Sequence, residues 1–272
     1  LQGLGFSAKF INDFFKPFFT GIFLENKLAT SSRMFEFVFK MFGEGYAALP
    51  SKGMGEISKQ LAEGLKVDEL ILNEKIIKIT GTKLQALSGN EYDASAILIA
   101  TNATDLPLPH SIGFNQKSKS AITVYFSSDK KTEPTKRIAL NAIQNQLITN
   151  VSFIDHICTD YAPKGKSLIS VSLNTDENIN LIDLKTSLKE ELKQWYPDAI
   201  NWKYLTHYEI PYALPNNESV NYRLPASSIQ LTKNCYICGD HLLNGSINAA
   251  MESAKIATSA ILNSNLFNAT TP

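Results

Sequence analysis

Asn234-Cys-Tyr-Ile-Cys-Gly-Asp-His-Leu-Leu-Asn-Gly-Ser-Ile-Asn-Ala-Ala-Met-Glu-Ser-Ala-Lys-Ile-Ala257 is the stretch whose reading decides the fold. It predicts a short apolar strand from Cys235 to Cys238, the pair Gly239-Asp240, a loop holding Gly245-Ser246, and a small-residue helix from about Ile247. Glycine lets another backbone or a ligand come close, and an acid then stands beside the positive end of a helix dipole. That order suits an electron-rich ring or a phosphate. A turn acid that caps its own loop, with Ser246 as a structural N-cap, is the plainer alternative.

Working outward, the 272 residues allow one or two domains with a sizeable core. Hydrophobic residues make up 44% and charged residues 19%, the balance of a globular chain rather than a disordered one. Lys+Arg and Asp+Glu both number 26, so no basic excess points to nucleic acid. No apolar run approaches the ~18 residues of a membrane span. No signal-peptide pattern is present either; the chain opens on Leu1 rather than Met and is expected to lack its natural start. The expected location is the cytoplasm, free or peripheral to a membrane.

The three cysteines, Cys158, Cys235 and Cys238, are too few for a disulfide scaffold. Cys235-x-x-Cys238-x-x-His241 has the look of a zinc site, but structural zinc sites show two paired ligand motifs. On a strand, positions three apart also face opposite ways. Buried small hydrophobes and no metal is the reading adopted.

The first 42 residues hold eleven of the fifteen phenylalanines. Phe6, Phe10 and Phe14 fall on one face of a helix starting near Ser7, which Pro17 should end or bend. A second helix is predicted from Ser31 or Ser32 to Phe42, stopped by Gly43. These rings are either core or the wall of a large apolar cavity. Lys52-Gly-Met-Gly55 should open a helix through about Leu61. From Val67 onward short strands are expected at Glu69–Leu72, Ile76–Thr80, Lys83–Leu87 and Ala96–Ala100. The last of these is apolar without alternation and ends in the small residues Thr101-Asn102-Ala103. Leu106-Pro-Leu-Pro109 marks a boundary.

Alternating strands at Ala121–Phe126, Arg137–Leu140, Leu147–Phe153 and Ser167–Leu173 predict an antiparallel sheet with one wet face. An amphipathic helix follows from Asp176 to Trp195, with Ile179 and Ile182 on its apolar face. A tyrosine-rich strand then runs from Trp202 to Ala213, bounded by Pro211 and Pro215.

Three segments together resemble the flavin-dependent amine oxidase superfamily, which includes protoporphyrinogen oxidase and phytoene desaturase-like enzymes. They are Phe18 to Phe42 with Ala48-Leu-Pro-Ser-Lys-Gly-Met-Gly55; Lys75-Ile76 with the strand Ile97–Ile99 and Ala100-Thr101; and Ile237-Cys-Gly-Asp240 with Gly245-Ser-Ile-Asn-Ala-Ala-Met-Glu-Ser253. The resemblance implies an α/β and α+β fold. It comprises a partial FAD-binding Rossmann-like domain whose first βαβ unit is absent, and a substrate domain of antiparallel sheet plus helices. The implied divisions are 1–50 for the Phe-rich helical part of the substrate domain, 51–110 for an FAD-domain segment, 111–229 for the rest of the substrate domain, and 230–272 for the closing FAD-domain segment. The chain is then the C-terminal part of a flavoenzyme, and its missing N-terminal FAD-binding segment comes in cis or in trans.

The implied cofactor is FAD. Ile76 matches the position whose backbone meets the adenine, and Ala100 and Thr101 the strand end near the ADP half. The resemblance implies that the Gly239 backbone lies near the pyrophosphate and that Asp240 matches the acid close to the ribityl chain. Ser246, Ile247 and Asn248 match the helix start whose amides face the pyrimidine edge, where they stabilise the charge gained on hydride transfer. Many amine oxidases of this family carry a lysine on the first substrate-domain strand; Ser120 or Ala121 stands there, with Lys119 just before. That departure favours desaturase-like or protoporphyrinogen oxidase-like dehydrogenation of an apolar or amphipathic small molecule. Tyr208 and Tyr212 share strand parity and are candidates for an aromatic wall, sheet packing being the alternative. His241 is the histidine nearest the implied flavin. The competing function is a non-catalytic interaction module derived from such a substrate domain. An NAD-linked dehydrogenase is disfavoured, because no glycine fingerprint follows a strand.

Overall fold

The computed structural model describes residues 1–102, 118–130, 136–143, 146–174, 183–216, 220–221 and 223–264. The proline-marked boundary at Leu106–Pro109, and Ala103, Ile179 and Ile182, lie outside them. The chain divides into two compact units, each made of two segments: residues 1–64 with 119–213, and 65–118 with 214–272.

The first unit opens with helices. Ser7 caps α1 (Ala8–Phe10), its Oγ accepting from Phe10 N. The helix widens into one π turn at Ile11–Phe15 and runs on as α2 (Lys16–Phe23). Pro17 therefore does not end it. The π turn has already shifted the hydrogen-bonding frame ahead of the proline, so the missing N–H and the ring fall where the α ladder is interrupted. Next, α3 (Ser32–Glu44) starts on the Ser31 hydroxyl. Gly43 sits within its last turn rather than stopping it, and Gly45 forms the C-cap. Then comes α4 (Gly55–Ala62).

The phenylalanines form a ladder of stacked and edge-on rings, 4.9 to 6.2 Å between centroids. Only part of it is core: Phe15 and Phe19 are 1% exposed, whereas Phe39 is 50% and Phe42 49% exposed.

The sheet of this unit has the order β6-β7-β8-β5-β9, from β5 (Ser118–Ser128), β6 (Ile138–Leu140), β7 (Ile148–Phe153), β8 (Ser167–Leu173) and β9 (Lys203–Pro215). The pairings of β5 with β8, β6 with β7 and β7 with β8 are antiparallel. Strand β8 alternates cleanly, and its inward Ile169 and Val171 join Val124, Phe126, Leu188 and Trp202 in the core. Strand β7 has no wet face; five of its six residues are buried, because α2 packs on it as well. The short helix α5 (Ile154–Ile157) follows β7, and α6 (Leu184–Leu192) supplies the buried Leu184, Leu188 and Leu192. The Glu191 carboxylate takes the amides of Leu147 and Ile148 at 3.0 and 2.9 Å. Burial pushes that carboxyl up from its ordinary value, against the pull of the two amides. Pro211 lies inside β9, which is an edge strand, the place in a sheet where proline is tolerated.

The second unit is layered. An antiparallel meander, β1 (Ile76–Thr80), β2 (Lys83–Ala86) and β3 (Glu91–Asp93), packs through Ile79 and Leu84 on one face of a second sheet. That sheet has the order β10-β11-β4, from β4 (Ile97–Ile99), β10 (Gln230–Thr232) and β11 (Cys235–Ile237). The long helix α7 (Ile247–Leu262) covers the other face, placing Ala257 against Tyr236 and Cys238. No strand forms at Glu69–Leu72. Residues Val67–Glu69 make a 3-10 turn, and Leu70, Ile71 and Leu72 are exposed. Strand β3 was not expected, being short and polar.

Candidate cofactor site

Strands β4 and β11 are parallel, with Ile97, Leu98 and Ile99 opposite Cys235, Tyr236 and Ile237. Their carboxyl ends therefore emerge side by side, and Cys238 N donates to Ile99 O at 2.9 Å across the last rung. Ala100 and Thr101 continue one strand and Gly239 and Asp240 the other. The first two are exposed, and the second two half-buried. In open α/β sheets the crevice outside the carboxyl ends of parallel strands is where ligands bind.

Gly239 has φ +156° and ψ 163°, a conformation essentially reserved for glycine. A Cβ there would overlap the His241 ring, so the glycine also makes room for its own neighbour. Gly239 N donates to Ser253 Oγ at 2.9 Å, and that hydroxyl donates onward to Ala250 O at 2.8 Å. Ser253 is fully buried on α7, so the turn is bolted to the helix behind it. Burial raises the Asp240 carboxyl above its ordinary value, partly offset by the backbone amides of His241 and Asp240 that it accepts. Asp240 stands at the strand end, half-buried, in the first turn of the 3-10 segment Asp240–Leu242. Burial lowers the His241 pKa, which favours a neutral ring.

Ser246 begins α7 in extended conformation, its Oγ accepting from Ala249 N at 3.1 Å. Helix geometry leaves the amides of Ile247 and Asn248, in the first turn, without an intrahelical acceptor, and both residues are exposed. Gly245 is required by close approach: a Cβ would come within 3.0 Å of Leu214 Cδ2 and 3.2 Å of Pro215 Cδ.

Ile76 is half-buried at the edge of the meander, opposite Ala86 and beside a bulge. Tyr208 and Tyr212 belong to the other unit. Tyr208 is 58% exposed and meets Tyr125 edge-on at 6.0 Å, while the Tyr212 hydroxyl is shielded from solvent. On the same strand, Tyr204 Oη lies 2.5 Å from His207 Nδ1, a pairing that spacing did not suggest. The two close cysteines part company as strand parity requires: Cys235 joins the core facing the meander, Cys238 the core facing α7. Burial pushes both thiols up. Among the described residues no group of three or more His, Cys, Asp or Glu is placed to hold a metal.

A family model described as flavin containing amine oxidoreductase matches residues 1–262. The chain is similar in structure to a putative protoporphyrinogen oxidase from Exiguobacterium sp. 255-15, at 16% identity and a TM-score of 0.58, over 78% of this chain and 52% of that one. It is also similar to reduced UDP-galactopyranose mutase, at 12% identity and a TM-score of 0.57, over 77% of this chain and 54% of that one. The chain spans about half the length of the solved structures it matches. A search of curated proteins finds no match.

Proposed function

The chain belongs to the flavin containing amine oxidoreductase family, and from that premise we propose that it is the C-terminal part of an FAD-dependent oxidoreductase acting on an apolar or amphipathic small molecule. The observation that carries this reading is the crevice at the carboxyl ends of β4 and β11, with the start of α7 in the same unit. The residues there fit a flavin nucleotide. Ala100 and Thr101 are small and exposed, Gly239 presents backbone only, and α7 offers amides of a helix N-terminus. Ile76, at the meander edge, is the residue proposed to meet the adenine through its backbone.

FAD, if held there, would supply a hydride-accepting centre. The amides of Ile247 and Asn248, fixed by the Ser246 cap, supply preorganised positive potential where negative charge develops. The Ser253 hydroxyl holds Gly239 in place, and Asp240, next in the chain, is positioned with it.

Two features of the first unit support the substrate class. A cavity of about 670 Å³ is walled by Ile11, Phe19, Phe23, Leu28 and Phe35, with Thr30 and Glu36 as polar points on its lining. Lys119, just before Ser120 and Ala121, donates to Phe23 O and Thr30 Oγ1 at 2.9 Å each. A lysine so engaged serves as a clasp on the α2–α3 loop, which favours dehydrogenation of the desaturase or protoporphyrinogen oxidase kind over amine oxidation. Tyr208 and Tyr212 remain the proposed aromatic contacts. The exposed Phe39 and Phe42 favour a second reading, a docking module without catalysis.

Spectroscopy separates the two. The complete gene product is expected to purify yellow and to be bleached by dithionite; a colourless protein that FAD cannot reconstitute would sink the enzyme reading. With the first dinucleotide-binding segment supplied elsewhere, this chain alone is expected to bind FAD weakly or not at all. Sub-micromolar affinity in a direct titration would show that the chain needs no such segment.

A further inference from the structure

A second, smaller cavity of about 140 Å³ lies in the first unit, among α2, the segment joining β6 to β7, and the start of β7. Its lining is the opposite of the Phe-walled cavity: amide side chains, two threonines and Lys16, with no carboxylate. Thr20 and Thr149 face it from α2 and β7, and they are only 9% and 8% exposed. A helical threonine commonly turns its hydroxyl back onto the preceding turn. Among the described residues, neither of these hydroxyls makes a hydrogen bond. Neither hydroxyl is sealed from the cavity's solvent, so each takes its hydrogen bond from water or from a ligand that displaces that water.

The surrounding groups decide the sign of the ligand. Asn141 Oδ1 accepts from Ile143 N at 2.9 Å. Its Nδ2 therefore donates to Gln146 Oε1 and Ile148 O at 2.9 and 2.8 Å. With its oxygen engaged, Gln146 has its NH₂ left to offer, a donor. Lys16 is half-buried and, among the described residues, makes no ion pair. In the adjoining hollow the lining carboxylate, Glu25, is occupied by the amides of Thr30 and Lys27 at 3.1 and 2.9 Å. Lys16 and these donors face a space whose lining holds no carboxylate, the Asn12 and Asn26 amides adding acceptors as well as donors.

We propose that this cavity is an oxyanion site, taking the carboxylate or phosphate group of a small molecule. Lys16 provides the charge, and Thr20, Thr149 and Gln146 provide hydrogen bonds. The site stands independently of any flavin chemistry, being built wholly from the first unit.

The test is calorimetric titration of the purified protein with sodium phosphate and, separately, with sodium acetate, at ionic strength fixed by sodium chloride. Saturable binding of either anion is expected, and the anion bound more tightly identifies the group. Lys16→Met should weaken it about tenfold or more, the scale of one charge-assisted hydrogen bond. Thr149→Val, nearly isosteric, should weaken it severalfold while the circular dichroism spectrum stays that of the parent. No saturable heat with either anion would mean the cavity holds only water, and the proposal fails. Saturable binding that both variants leave unchanged places the anion elsewhere and overturns it equally.

Discussion

Helices α3 and α7 have opposite relations between size and burial. Helix α3 is dense in phenylalanine, yet Met34 is its one buried residue, and Phe39 and Phe42 stand about half in solvent. Helix α7 has Ala249, Ser253 and Ala257 spaced four apart; all three are buried, with Ala257 packed on Tyr236 and Cys238 and Ser253 bonded to Gly239. Small side chains let a helix backbone approach a sheet closely, so burial here follows from shape rather than hydrophobicity. The close approach also lets the Ser253 hydroxyl reach Gly239 N. The chain has spent its bulk where a surface is offered and its small residues where precision is required.

The strongest way to break that contrast is to put bulk on α7. Ala257→Leu should destabilise the protein by about 3 kcal/mol, read as a drop in the urea midpoint, because the site is fully buried with no room to relax. A cost near zero would mean the helix is not seated as described. An intermediate effect comes from α3, where Met34→Ala should cost about 2–3 kcal/mol and Phe39→Ala about 1 kcal/mol or less, despite the larger side chain removed. Equal costs would erase the distinction. The smallest effect concerns the turn that leads to α7. His241 has a pKa held below its ordinary 6.5 by burial, so the unfolded chain binds a proton more readily than the folded one. Its contribution to stability is full above about pH 6.5 and is lost as the pH falls toward the folded value. Thermal midpoints measured from pH 7 to pH 5 should therefore fall more steeply in the parent than in His241→Asn.

Much of the second unit could be read from the chain. Ile97–Ile99 and Cys235–Ile237 are strands because unbroken apolar runs suit a layer covered on both faces, and Ser246 caps its helix because a side-chain oxygen is what a first turn lacks. What escaped had non-local causes. Glu69–Leu72 looked like a strand but pairs with no strand among the described residues, and Leu70, Ile71 and Leu72 stay exposed. Pro17 looked like a stop or a bend, and the helix runs through it behind a π turn. The demand on Gly239 was visible as a special glycine, but not that its neighbour His241 fills the space, nor that a serine fourteen residues later holds its amide. The cavity of Lys16, Thr20 and Thr149 has no local signature at all; it exists only once α2 lies on β7.

The parallel pairing of β4 with β11 also sets a timetable. Residues 97–99 leave the ribosome long before residues 235–237, and every strand of the first unit's sheet is encoded between them. At roughly 5–20 residues per second of synthesis, β4 waits on the order of ten seconds for β11. Among the described strands, the one beside which a ligand crevice opens therefore waits longest for its partner, with its edge open to other chains in the interval.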